Sequence, residues 1–399
     1  MIKHKFVMKK IIFFSLVLMA WAGANAQIKL TGVVRDAQTK QPVNNVIVQL
    51  VNSKFFVETR EDGTFEFSGV QANSYVLKFV HIAYGEVSKP IDLKKGETAR
   101  HFDIDLTALK NVLQSVEISA LRAGETTPIA YTNVDKKEIN ALNTGRDVPY
   151  LLEQTPSVVV TSDAGAGIGY TNMRVRGSDI TRINVTVNGI PINHAESQGV
   201  FWVNMPDLAS STNSIQLQRG VGTSTNGSGA FGASLNMETD GPSTKPTALV
   251  HVGMGSFNTQ RYTAQFGTGL IDTNWWMSGR LSQIKTDGYI DRASSNLKSY
   301  YISGGFINDK TSVRAVVFGG KEITYQAWNG VDSATLATNR TDNSAGAIYD
   351  TNWNVIDYYD NEVDNYGQDH YQLHLNQILN ERFKMNVSLH YTKGSGYYE

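Results

Sequence analysis

The sequence predicts a β-rich, exported chain in three successive parts: a small β-sandwich, a mixed α/β unit, and opening strands of a transmembrane antiparallel β-barrel. Three observations carry this. A secretion signal begins the chain; short β-branched and aromatic runs punctuated by turn residues follow it; and past residue 246 strands of about ten residues alternate apolar and polar side chains.

The signal comes first. Lys3, Lys5, Lys9 and Lys10 form a basic start, Ile11 to Trp21 is apolar, and Ala24-Asn25-Ala26 offers small residues at a cleavage site after Ala26. The apolar run is too short to span a bilayer. The chain has no cysteine, which excludes a lipoprotein anchor at that site, disulfides and thiolate metal sites. Removing the signal takes away four lysines and no acid, leaving 32 basic against 37 acidic residues. An acidic balance argues against nucleic acid as a partner.

Residues 27–108 read as the sandwich. Leu30 to Val34, Val46 to Leu50, Phe65 to Phe67 and Tyr75 to Phe79 are strand-like, and Gln41-Pro42, Glu61-Asp62-Gly63 and Lys95-Gly96 supply turns. Residues 109–133 form a linker. Within it Val112, Leu113, Gln114, Ser115, Val116, Glu117, Ile118, Ser119 and Ala120 make a short extended stretch. That stretch either adds as a strand to a partner's sheet edge or closes the preceding sandwich.

Residues 134–240 form the mixed unit. Asp147 to Gln154 reads as a short helix with Asp at the N-cap and Pro in the first turn. Strands are expected near Val158 to Val160, Met173 to Arg176, Asn184 to Val187 and Ser214 to Gln218, with a tight turn at Asn188-Gly189.

From residue 247 to 399 seven strands are expected, near 247–255, 259–270, 274–285, 298–307, 312–323, 367–379 and 383–393. Tyr371, Leu373 and Leu375 oppose His370, Gln372, His374 and Asn376; Met385, Val387, Leu389 and Tyr391 oppose Asn386, Ser388, His390 and Thr392. Such alternation suits lipid outside and water inside, and equally a soluble sandwich. Connection lengths favour the membrane: after the first hairpin, tight turns alternate with long segments at 286–297 and 324–366. Seven strands cannot close without leaving backbone edges in hydrocarbon, so the chain reads as the front part of a longer protein.

The segment from Asp147 to Glu238 resembles the plug of TonB-dependent outer-membrane receptors. The motifs are Leu151-Leu152-Glu153-Gln154-Thr155-Pro156, Met173-Arg174-Val175-Arg176-Gly177, Val187-Asn188-Gly189-Ile190-Pro191, Ile215-Gln216-Leu217-Gln218-Arg219-Gly220 and Gly229-Ala230-Phe231-Gly232-Ala233. The preceding sandwich, with Gly32-Val33-Val34, Pro42-Val43 and Asp62-Gly63-Thr64-Phe65-Glu66-Phe67, resembles the carboxypeptidase regulatory-like domain.

The resemblance implies a plug inside a barrel of about 22 strands. It implies active import across the outer membrane of a Gram-negative cell, with plug and sandwich on the periplasmic side. The partners implied are TonB with its inner-membrane energising complex, outer-membrane lipid and an extracellular ligand, of which a ferric siderophore or similar chelate fits best. A glycan importer working with a surface lipoprotein is the alternative.

Val112 to Ala120 is then the candidate TonB box. Arg176 and Arg219 are expected to pair with barrel carboxylates, with a surface position as the other possibility. Tyr170, Asn172, His194, Glu196, Gln198, Phe201 and Trp202, on plug apices, are expected either to face the ligand or to pack against the wall. Gly165-Ala166-Gly167-Ile168-Gly169 lacks the Gly-Lys-Ser/Thr of a phosphate cradle. No spacing points to an enzyme, a cofactor or a metal site, and His370, His374 and His390 read as lumen-lining.

Overall fold

The computed structural model describes residues 28–81, 84–107, 121–124, 127–223, 231–308, 310–380 and 382–399. The chain divides into two compact units, 1–110 and 111–399. The candidate box, Val112 to Ala120, and the signal lie outside the described residues.

The first unit is a sandwich of two sheets. Its strands are β1 (Ile28–Asp36), β2 (Ile47–Leu50), β3 (Phe56–Glu58), β4 (Thr64–Val70), β5 (Ser74–His81), β6 (Tyr84–Asp92) and β7 (Ala99–Leu106). The sheets run β4-β1-β7 and β3-β2-β5-β6. Period-two alternation places Ile28, Leu30 and Val34 of β1 in one core with Leu50, Phe65, Leu77, Phe79 and Ile104. Gly32 shares that inward face because a Cβ there would lie 2.4 Å from both the Phe102 carbonyl oxygen and the Phe65 ring.

The second unit begins with an inner domain. Its elements are β8 (Tyr131–Val134), α1 (Lys136–Leu142), a 3₁₀ turn (Val148–Leu152), β9 (Val158–Ser162), β10 (Thr171–Val175), β11 (Ile183–Val187), β12 (Ile190–Pro191), β13 (Thr212–Arg219) and β14 (Ala233–Thr239). Five strands form the sheet β12-β11-β14-β13-β8, in which only β11 and β14 run parallel, and β9 and β10 form a separate hairpin.

The helix α1 was not expected, although its signal is local. Asp135 caps it by accepting from the Glu138 amide, and Ile139 is its buried residue. The expected helix over Asp147 to Gln154 is instead the short 3₁₀ turn. Asp147 spends its carboxylate on the Thr171 hydroxyl (2.9 Å) rather than on a cap, and Pro156 disfavours the helical region for Thr155.

The wall follows as one antiparallel sheet in sequence order: β15 (Pro246–Gly255), β16 (Thr259–Thr268), β17 (Trp275–Thr286), β18 (Ser295–Ile307), β19 (Thr311–Tyr325), β22 (Val363–Ile378) and β23 (Lys384–Tyr398). Between β19 and β22 the long connection contains α2 (Ser333–Thr338) and a small hairpin of β20 (Ala347–Tyr349) with β21 (Val355–Tyr358).

The wall's burial is inverted relative to a soluble sheet. His370, Gln372 and His374 are buried on β22, while Tyr371 and Leu373 are exposed; Leu389 and Tyr391 on β23 are more than half exposed. Polar faces turn to the inner domain, which packs Met205, Leu208 and Trp202 in one cluster with Tyr301, Val316 and Phe318 of the wall. No described helix is long and apolar enough to cross a membrane. An apolar face this extensive is stable only against lipid or a covering partner.

Placing Arg at Leu373 should lower folding stability in lipid vesicles by about 2–4 kcal/mol, whereas Lys at Phe383, beside a tight turn, should cost about 0–1 kcal/mol. Urea unfolding in vesicles measures both. Equal, negligible losses would contradict a lipid-facing wall.

Candidate functional site

The inner domain meets the wall through a buried charge node. Asp207 follows Pro206 with φ at +54°, the left-handed region, and its side chain is 0% exposed. Arg261 of β16 reaches one carboxylate oxygen at 2.9 Å and Arg280 of β17 the other at 3.3 Å. The Ser210 hydroxyl donates to the first oxygen at 2.6 Å; those of Thr263 and Ser282 donate to the second at 2.9 and 2.5 Å. Both guanidiniums have further acceptors. Arg261 donates to the Asn143 carbonyl (3.0 Å), and Arg280 to the hydroxyls of Ser211 (2.8 Å) and Ser299 (3.0 Å). Burial alone would raise the Asp207 pKa, but Arg280 and Arg261 outweigh it and hold the carboxyl below its ordinary value. Gly320 on β19 lets this contact close, since a Cβ there would lie 2.4 Å from Pro206 Cδ.

A second tie uses the Asn188-Gly189 turn. Asn188 adopts φ +55°, donates its amide to Gln372 of β22 (2.9 Å), and accepts from the Thr239 amide (2.9 Å). Tyr301 and Arg314 of the wall donate to the Thr239 hydroxyl at 2.9 and 2.7 Å. The node and this tie are almost wholly polar, in contrast to the apolar cluster beside them.

Towards the long connections the inner domain ends in the apex 162–172. Tyr170 hydrogen-bonds Asp364 of β22 and meets Trp328 of the long connection edge-to-face, with ring centroids 5.2 Å apart. Burial, with the Glu322 and Asp364 carboxylates nearby, holds its phenol well above the usual range. The Ala164 carbonyl accepts from the Tyr289 amide at 2.8 Å, tying the same apex to the β17–β18 connection. Asn172 is half-buried on β10.

The loop 193–201 is held by its own side chains. Asn193 accepts from the Val185 amide (2.8 Å) and donates to the carbonyls of Ile183 (2.9 Å) and Gln198 (2.8 Å). His194, Glu196, Gln198 and Phe201 are exposed, and the His194 ring lies edge-on to Phe201. Trp202 takes the second of its expected places: it is only 3% exposed and lies in the cluster that joins the inner domain to Tyr301, Val316 and Phe318 of the wall.

Arg176 is exposed at φ +52°, and Arg219 donates to the Pro156 carbonyl at 3.2 Å. Among the described residues neither forms an ion pair with the wall. The pairing found has the opposite sense, with a carboxylate from the inner domain and arginines from the wall. Sequence reading missed it because Asp207, Arg261 and Arg280 are far apart in the chain. Its local hints are Arg261 and Arg280, each flanked on its strand face by small polar residues, Thr259 and Thr263 or Ser278 and Ser282.

The histidines lie on the buried polar face: His374 Nδ1 is 2.9 Å from Ser388 Oγ, and the His370 ring stacks on Phe318 and on His390. No group of three His, Cys, Asp or Glu among the described residues is arranged to hold a metal ion.

Asp207→Ala strands two buried guanidiniums and should destabilise the docked inner domain by about 3–5 kcal/mol, seen as protease cleavage of the domain at lower temperature. Asp147 gives a pH-dependent counterpart. Burial pushes its pKa up to about 8, so the folded state holds a proton that the unfolded state releases near pH 4. Stability therefore falls as pH rises from about 4 to about 8. Asp147→Asn should flatten that decline, measured as protease resistance across the range.

Residues 123–234 match the TonB-dependent receptor plug domain and residues 29–107 the carboxypeptidase regulatory-like domain. No curated protein sequence matches the chain. Similar solved structures include P. aeruginosa FpvA bound to heterologous pyoverdines, at 15% identity and TM-score 0.51, covering 72% of this chain and 38% of that one. The siderophore receptor PirA from Acinetobacter baumannii matches at 17% identity and TM-score 0.51, covering 67% and 40%. The ferric-catecholate import receptor Fiu from E. coli K12 matches at 15% and 0.53, covering 72% and 42%. The chain thus spans about two-fifths of their length, and at these identities they speak to fold alone. Residues 123–234 thus carry a TonB-dependent receptor plug domain and residues 29–107 a carboxypeptidase regulatory-like domain, and these matches, with a wall that turns its polar face to the plug, support a TonB-dependent outer-membrane receptor.

Proposed function

We propose that this receptor imports a bulky metal chelate, of the ferric siderophore class, across the outer membrane, driven by TonB and its inner-membrane energising complex. The observation carrying this reading is a plug docked on the wall through a polar node, with Tyr170 at the apex beside the long connections and exposed aromatic and polar side chains on the 193–201 loop. A plug fastened this way blocks passive flow, so passage needs work. Among the structures similar to it, FpvA is bound to pyoverdines, PirA is a siderophore receptor and Fiu a ferric-catecholate import receptor.

In this reading Tyr170, Asn172, His194, Glu196, Gln198 and Phe201 form the ligand floor: aromatic faces supply area, and the amide, imidazole and carboxylate tips orient a chelate. The segment Val112 to Ala120 adds as a strand to TonB, where backbone hydrogen bonds transmit force with little demand on sequence. Leu121 and Ala123, just after it, are anchored to the plug. The Leu121 carbonyl accepts from Gln218 at 2.6 Å, and Ala123 exchanges two hydrogen bonds with Gln216 at 2.7 and 3.0 Å. A pull on the segment therefore loads β13 directly. Arg176 and Arg219 are assigned to carboxylates on wall strands outside this chain.

Deleting Val112 to Ala120 should abolish ⁵⁵Fe–siderophore uptake by iron-limited cells while leaving surface binding intact. Uptake at the undeleted rate would exclude this box. Growth that responds to an oligosaccharide and not to iron would move the assignment to the glycan class.

A further inference from the structure

The five-stranded sheet of the plug has two unlike faces. Its odd-numbered side chains, among them Val185, Ile215, Leu217 and Leu235, enter the core shared with Tyr301 and Phe318 of the wall. The even-numbered face, turned away from that core, is polar. Thr186 of β11, Ser234 and Asn236 of β14, and Gln216 and Gln218 of β13 stand in register across it. Asn236 pairs with both Thr186 and Gln216, and Ser234 with Gln218. All five are buried. Burying amides and hydroxyls is costly unless each finds a partner.

Part of this face is covered by residues 121–123. Among the described residues this cover forms no backbone ladder with β13, and side chains hold it. Gln216 accepts from the Ala123 amide at 2.7 Å and donates to its carbonyl at 3.0 Å; Gln218 donates to the Leu121 carbonyl at 2.6 Å. Arg122 donates to the Ser214 hydroxyl at 2.9 Å. A glutamine side chain offers a carbonyl and an N–H, the same pair as a peptide group. What the two glutamines read is therefore an amide, whichever molecule carries it.

Beside them two groups have bonding capacity to spare. Ser234 Oγ, on a residue 0% exposed, and Asn236 Nδ2, on one 3% exposed, have no hydrogen-bond partner. Asn236 Oδ1 accepts from the Thr186 hydroxyl at 2.8 Å. Buried unpaired polar atoms next to amide-reading side chains suit a polar, amide-rich occupant better than an apolar one.

We propose that this even-numbered face is a second ligand subsite, along which an amide- or hydroxamate-bearing chelate passes once residues 121–123 leave it. Gln216 and Gln218 then bond the chelate in place of Ala123 and Leu121, with Ser234 and Asn236 as further partners. The proposal rests on the import reading and adds to it the class of chelate and its route.

The chain has no cysteine to compete with an introduced thiol. In iron-limited cells carrying the full-length receptor and given ferrioxamine B, S234C should react with a maleimide at least ~10-fold faster with TonB than without it, while V185C, on the apolar face, stays protected in both. No reaction of S234C overturns the proposal, as does equal reaction of the two, which marks a plug that opens as a whole. Uptake is read alongside, with ⁵⁵Fe–ferrioxamine B, which carries amides and hydroxamates, and ⁵⁵Fe–citrate, which carries neither. S234A should import ferrioxamine B at least ~3-fold more slowly with the protease resistance of the resting plug undiminished, because the hydroxyl it removes is unpaired there. Uptake by S234A at the unaltered rate, a loss of that resistance, or a preference of the unaltered receptor for ferric citrate overturns the proposal and leaves the import reading standing. Uptake of neither chelate by the unaltered receptor would sink the import reading, and the subsite with it.

Discussion

The constraint on which the rest depends is the inverted burial of the wall strands. Each strand carries an apolar face and a polar face, as a soluble sheet does, but the polar face is the one packed against protein. That exchange is stable only where the outer surroundings are themselves apolar, because exposing Leu and Tyr rows to water would forfeit the hydrophobic contribution. It also fixes what the plug must present. The polar groups of the inner wall must be met by partners that satisfy their donors and acceptors, so beside its apolar cluster the contact is built from Asp207, Asn188, Thr239 and the serines around them.

A polar contact of this kind differs from a hydrophobic core in how it fails. Buried ion pairs contribute little net stability because desolvation offsets the Coulomb attraction, but breaking one with its partners still buried is costly. The Asp207 node therefore resists partial displacement while leaving the docked state only moderately favoured over one in which water replaces each partner together. The apolar cluster of Met205 and Leu208 with Val316 and Phe318 sits beside the node.

Much of this was legible locally. The strand alternation of β22 and β23 correctly separated the inward His370, Gln372 and His374 from the outward Tyr371 and Leu373, because side-chain direction in a strand has a period of two and needs no tertiary knowledge. Asn188-Gly189 announced a turn through its tolerance of positive φ. Where local signals competed, reading failed. The Asp147 segment had a helix's start residues, yet its carboxylate was claimed by Thr171 from another strand. The Asp135-to-Glu138 spacing, which did make a helix, was overlooked beside it.

The sequence by itself determined the order of the parts, the period-two faces of the wall and the family motifs of the plug, since all of these are written in neighbouring residues. Only the tertiary structure decided which carboxylate meets which arginines, that Trp202 turns into the core while Phe201 stays exposed, and that residues 121–123 lie across the glutamines of β13. Those outcomes depend on sheet register and on the docking of plug against wall. They join residues separated by tens of positions, and composition or spacing carries no record of such distances.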